Sequence, residues 1–264
     1  AAQHFVTTGA MTVGRAAPAA ALLADGRALI IGGQSSSMEP LASAELFEPE
    51  SSRFLPTSPM AVPRIGHVAV VLLDGRVLVS GGRQARRGDI LNSAEIFDPV
   101  TGQFQATGSM KLPRHKHAAV RLPDGRVLVI GGADIRDQRG RYRSTEIYDP
   151  NSGTFSAGPQ MQWPRFKIPD AVATMPSGAI LVAGGARQME WYDPTNNRFV
   201  VMPGELEMAL EFATASTLPN GDILVVGGYD DNIRTSAAVW LVPTDIVSQA
   251  VSGAGLNKAE TAAQ

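Results

Sequence analysis

The chain contains no cysteine, which excludes disulfides, thiolate nucleophiles and cysteine-ligated metal centres. Long apolar runs are also missing. Stretches such as Val68 to Leu73 are strand-sized, far below the roughly 20 residues that a membrane-spanning helix needs. Charge of one sign is not in excess either: the net charge is -2. Proteins that neutralise nucleic-acid phosphates carry a marked basic surplus, so no nucleic-acid partner is expected. The first residues, Ala1-Ala2-Gln3, lack an initiator Met and a signal-like apolar stretch. That pattern fits a processed exported chain or equally a trimmed one, and the expected location is secreted or periplasmic.

What is present is a repeat. Hydrophobic residues make up 44 % of the chain, enough for a substantial core, and they fall into short runs with regular punctuation. Gly-Gly follows a strand-like run at Gly32, Gly81, Gly131, Gly184 and Gly227, at intervals of 49, 50, 53 and 43 residues. These are blade-sized units, each with four strand signals rather than the shorter coil of a β-solenoid. Asp25-Gly26, Asp74-Gly75, Asp124-Gly125, Ser177-Gly178 and Asn220-Gly221 precede the doubled glycines and read as two-residue hairpin turns. Third strands read SAELFEP, SAEIFDP, STEIYDP and QMEWYDP, and fourth strands carry Phe54, Phe104, Phe155 and Phe199. Blade five lacks a fourth strand, while Phe5 to Met11 repeats the spacing of Phe104 to Met110. The expectation is an all-β, five-bladed propeller of four-stranded antiparallel blades over 1–247, closed by the N-terminal strand, with a peripheral tail at 248–264.

Pro63-Arg64, Pro113-Arg114 and Pro164-Arg165, together with the doubled glycines and the SAEIFDP strand, resemble the kelch family. The match is similar to the kelch-like propeller of galactose oxidase-type enzymes and extends from Phe5 to about Pro243. The resemblance implies the fold but not an activity, because kelch propellers serve as binding modules, sugar-processing enzymes and oxidases. Oxidases of this type use a copper site with a Tyr–Cys crosslink, which a chain without cysteine cannot build. Five blades would depart from the more usual six or seven.

Arg15, Arg64, Arg114 and Arg165 open four blades, and Glu45, Glu95, Glu146 and Glu190 lie in the third strands of the same blades. A residue used four times holds each blade together more readily than it binds one ligand. Blade five has Met208 or Leu210 in place of the Arg and Ala238 in place of the Glu. Joint loss is the mark of an ion pair, since a single deletion would strand a buried charge at about 3–5 kcal/mol.

The links from second to third strands should share one face with the approaches to the first strands, and long loops there are the natural carriers of binding groups. The loops after Gly82 and Gly132 hold Arg83, Arg86, Arg87, Arg136, Arg139, Arg141 and Arg143, a basic sector suited to carboxylate or sulfate recognition. His115 lies beside this sector, and Trp163 replaces smaller residues, as a larger packing residue or as a ligand platform. Eight residues before the hairpin glycines stand His67, His117 and Asp170, a set able to hold a divalent metal or perform acid–base chemistry if it converges. No cofactor is favoured. The leading functional expectation is a non-catalytic propeller binding a glycan or protein, with an anionic ligand in view. Alternatives are a polysaccharide lyase using axial His and loop Arg residues, and a structural interaction scaffold. The sequence assigns no oligomeric state.

Overall fold

The computed structural model describes residues 7–85 and 88–244. Blade one consists of β1 (Ala19–Leu22), β2 (Ala28–Ile31), β3 (Ala44–Glu48) and β4 (Arg53–Pro56). Blade two consists of β5 (Val68–Val71), β6 (Val77–Ser80), β7 (Ala94–Asp98) and β8 (Gln103–Ala106), and blade three of β9 (Ala118–Arg121), β10 (Val127–Ile130), β11 (Thr145–Asp149) and β12 (Thr154–Ala157). Blade four contains β13 (Val172–Thr174), β14 (Ile180–Val182), β15 (Glu190–Asp193) and β16 (Arg198–Val201); blade five contains β17 (Thr214–Thr217), β18 (Ile223–Val226) and β19 (Val239–Val242). Each sheet is an antiparallel meander in sequence order. The innermost strands meet their neighbours in the order β1, β5, β9, β13, β17.

The second strands read as continuous apolar runs because both of their faces are covered by adjacent blades. β6 and β10 are buried along their whole length. Four apolar clusters lie between blades one and two, two and three, three and four, and four and five. At the outer edge, third and fourth strands are joined by ring contacts such as Phe97–Phe104 at 4.9 Å and Tyr148–Phe155 at 4.8 Å between centroids.

The ion pairs form as the repeat demands. Arg15–Glu45, Arg64–Glu95, Arg114–Glu146 and Arg165–Glu190 lie at 2.7, 3.0, 2.8 and 2.8 Å. Every guanidinium also donates to a glycine carbonyl, for example Arg114 to Gly131 O at 2.6 Å. Every carboxylate accepts a backbone N–H from the segment approaching its own blade, from Thr12, Ala61, Lys111 and Gln162. The pair therefore fastens the approach segment to the second and third strands.

Two expectations change, and one is settled between its alternatives. The hairpins are three-residue loops, not two-residue primed turns: Gly26 N–H donates to Leu23 O at 3.0 Å and Leu23 N–H to Arg27 O at 2.8 Å, with Gly26 alone at positive φ. This is a type I turn closed by a left-handed Gly. In blade five, Gly185 N–H donates to Leu210 O, as Gly132 N–H does to Arg165 O, which makes Leu210 and not Met208 the counterpart of the arginines. Val225 pairs with Trp240 where Ile30 pairs with Glu45, so Trp240 and not Ala238 takes the Glu position.

The closing strand expected at Phe5–Thr8 begins outside the described residues, as does the tail at 248–264. Thr7 and Thr8 belong to no strand. Gly9 N–H donates to Ser52 O at 2.8 Å, the same link that Gly108 makes to Gly153 O at 2.9 Å after a fourth strand. Across the junction of blades five and one the described residues do not pack as elsewhere. A Cβ on Gly32, Gly81 or Gly131 would press on the carbonyl of Arg64, Arg114 or Arg165, whereas one on Gly227 would meet nothing within 4 Å. Leu241 is 53 % exposed, while Leu46 and Ile147 at the same register are 6 % and 4 %.

Candidate functional site

The approaches to the first strands and the links leaving the second strands share one face, paired by bridges Ala16–Gln34, Ile65–Arg83, His115–Ala133 and Glu211–Tyr229. One residue beyond each approach the backbone turns left-handed, at Ala17, Gly66, Lys116, Lys167 and Phe212, with φ between 48° and 66°. Non-glycine residues rarely adopt this conformation and keep it only where surroundings enforce it. Here the neighbouring blades do so. Lys116 N–H donates to Gly66 O at 2.7 Å, Ile168 N–H to Lys116 O at 3.2 Å, and Phe212 N–H to Lys167 O at 2.7 Å. The turn directs two lysines to the mouth of the axis.

Lys116 Nζ lies 5.2 Å and Lys167 Nζ 5.7 Å from the centre of the Phe166 ring. Lys167 is paired with buried Glu211 at 2.6 Å. Burial works against its charge, but the hydrogen bond and charge of Glu211 outweigh this and raise its pKa. Among the described residues, Lys116 has no carboxylate oxygen within the 4.0 Å of an ion pair. Burial pushes its pKa down, helped by Lys167 and Arg83 and opposed by Asp137 and Glu211. A cavity of 130 Å³ beside it is lined by Gln34, Ile65, Gly66, Arg83, His115 and Lys116.

The loop of blade three crosses this mouth. Its short 3-10 turn, Asp137–Gly140, places Asp137 Oδ1 2.9 Å from His115 Nε2, a close polar contact whose angle falls short of a hydrogen bond. Asp137 Oδ2 is 3.8 Å from Arg83. The next residue, Gln138, donates to Glu211, and Arg141 reaches Asp231 of blade five at 4.0 Å. Burial holds the His115 pKa down at about 4, with Lys116 adding to the effect, so the imidazole is neutral at pH 7.

The other expected site residues scatter. His67 and His117 are buried between blades, each packed against the first glycine of the preceding doublet, Gly32 and Gly81. Burial, followed by the charge of Arg64, lowers the His67 pKa to about 3; burial and Arg114 push His117 well below its ordinary value. Asp170 is exposed and does not join them. Two extra residues in blade four move it out of register, and Ile168 occupies the histidine position against Gly131. Among the described residues no three His, Asp or Glu side chains converge as a metal site.

The arginine sector is divided as well. Arg86 and Arg87 lie outside the described residues. Arg136 is held by Asp134 at 2.6 Å, and Arg139 and Arg143 are exposed. Of the five described arginines, Arg83 alone lines the axial cavity, and half-buried Trp163 does not. Sequence reasoning missed Gln34, Lys116, Phe166, Lys167, Glu211 and Tyr229. The signal was there in the positions two after the blade-opening Arg, where Ala17, Gly66, Lys116 and Lys167 differ from blade to blade.

Residues 64–111 match the model of the Kelch motif. The chain is a five-bladed β-propeller whose second blade carries this motif. It has no cysteine, so the propeller cannot carry a cysteine-dependent copper site. No curated protein sequence matches it. The solved structure of YjhT is similar to the propeller in fold, with a TM-score of 0.69 and 16 % identity over 88 % of this chain and 82 % of that one. Among the described residues no helix is long and apolar enough to cross a membrane.

Proposed function

We propose that the axial mouth of the loop-bearing face binds the anionic group of an acidic glycan. The observation that carries this reading is Lys116. A half-buried ammonium without a carboxylate in ion-pair range among the described residues, beside Arg83 and a cavity, gains most from a ligand that supplies the missing charge. The neutral ring of His115, which lines the same cavity, adds a polar group.

One observation favours a second, catalytic reading, in which the glycan is also processed: the His115–Asp137 contact at 2.9 Å sets a neutral imidazole against a carboxylate beside the same cations, an arrangement fit for proton transfer. His115 lines the cavity, whereas His67 and His117 do not, so the base of this reading is His115.

Calorimetry with matched acidic and neutral oligosaccharides tests binding. Lys116→Ala or Arg83→Ala is expected to weaken the acidic ligand roughly ten- to a hundredfold, whereas Arg136→Ala, already satisfied by Asp134, should change little. Equal affinity for neutral and acidic ligands would reject the proposal. For the catalytic reading, product release must be seen with the native chain and lost in His115→Gln.

A further inference from the structure

The chain has 19 arginines and 4 lysines, Lys111, Lys116, Lys167 and Lys258. Where the propeller fastens blades or pairs its hairpins it uses arginine, as in Arg64–Glu95 and Arg76–Asp74. Two of its four lysines stand instead at equivalent left-handed positions on the axis. A guanidinium would supply the charge at least as well and cannot lose its proton; an amine can lose its proton and become a nucleophile. Lysines are activated in this way by partial desolvation or by a neighbouring cation, and Lys116 has both, being half-buried with Arg83 and Lys167 nearby. Lys167, by contrast, is tied to Glu211 at 2.6 Å. The charged groups acting on Lys116 are Asp137 from the crossing loop, Arg83 from blade two, Lys167 from blade four and Glu211 from blade five. His115 precedes it on the same strand approach.

We propose that Lys116 is a covalent amine that captures an anionic ligand through its aldehyde or ketone as an imine, in the cavity formed with Arg83 and His115. The inference rests on the anionic-ligand reading for its choice of ligand, but not for its chemistry. The neutral Nζ lone pair adds to the carbonyl carbon and forms the C–N bond. The carbonyl oxygen takes a proton while the nitrogen gives one up. The resulting hydroxyl, protonated again, leaves as water as the C=N bond forms, and the nitrogen then gives up its second proton. Amine and carbonyl become imine and water, without oxidant or metal. His115, with Asp137 beside it at 2.9 Å, is placed to carry the proton.

The test uses the whole chain with glyoxylate, a small anionic aldehyde, and glycolaldehyde, its neutral counterpart, each followed by cyanoborohydride and peptide mass spectrometry of all four lysines. Lys116 is expected to be labelled about tenfold or more faster than exposed Lys111, faster by glyoxylate than by glycolaldehyde, and with a half-maximal rate at lower pH. Lys116→Arg keeps the charge and should still bind glyoxylate reversibly while losing the trapped adduct. Labelling spread evenly over the lysines, or concentrated away from Lys116, overturns the imine and leaves anion binding standing. Equal trapping of both aldehydes at Lys116 keeps the imine and rejects the anionic-ligand reading.

Discussion

The guanidinium of Arg114 meets the carboxylate of Glu146 at 2.8 Å, and both are buried. Arg114 also holds the Gly131 and Ser144 carbonyls, and Glu146 the N–H groups of Lys111 and Leu112. Removing one partner leaves the other charged and dry. Arg114→Leu alone or Glu146→Trp alone should therefore lower unfolding free energy by about 3–5 kcal/mol, read from denaturant midpoints. The double change Arg114→Leu with Glu146→Trp, copying Leu210 and Trp240 of blade five, should lose less than the sum of the two single changes. Full additivity would show that the two residues do not act as a pair.

Acid should act on the propeller through its enclosed imidazoles. His67 has a folded pKa of about 3 against an ordinary 6.5, so between these values the unfolded chain takes a proton that the folded chain refuses. The neutral ring contributes fully above pH 6.5, and this contribution falls as pH drops, by about 2 kcal/mol at pH 5. His115, at about 4, and His117 act in the same direction. Ring-proton NMR should show His67 uncharged down to pH 4; a midpoint near 6.5 would contradict its burial between the blades.

Two glycines with nearly the same backbone separate strain from packing. Gly75 has φ of 85° with nothing within 4 Å of an added Cβ, whereas Gly132 has φ of 88° and a Cβ there would lie 2.8 Å from His117 Cβ. Gly75→Ala should cost about 1–2 kcal/mol, the left-handed penalty alone. Gly132→Ala should cost clearly more, because the blade-three approach strand must move. Equal shifts in thermal midpoint would mean that the blade-three approach segment and the link after β10 are not in such close contact.

The crossing loop supplies a further test of the axial mouth. Gln138 reaches Glu211 and Arg141 reaches Asp231, so Gln138→Ala with Arg141→Ala should release blade three's loop from blade five. Faster amide exchange over 134–143, without loss of protection in β10 and β11, is the expected result. Protection unchanged in the loop would show that these bridges do not hold it.

The sequence by itself determined the blades, their number and their internal fastening. Doubled glycines, hairpin glycines and alternating strands act within a few residues, so they can be read in order along the chain. Arg64 and Glu95 were legible as a pair because four blades carry both and blade five carries neither. Only the tertiary structure decided what meets on the axis. Lys116, Lys167, Phe166 and Glu211 come from three blades, and the long-range geometry that gathers them is set by blade packing and by left-handed turns that no local pattern marks. The same packing enclosed His67 and His117, and a two-residue insertion turned Asp170 outward and put Ile168 in its place. An arginine in a loop is the same letter whether it is matched by Asp134 or lines a cavity. Which of the two applies depends on neighbours far away in sequence, and for Arg83 and Arg136 the fold chose differently.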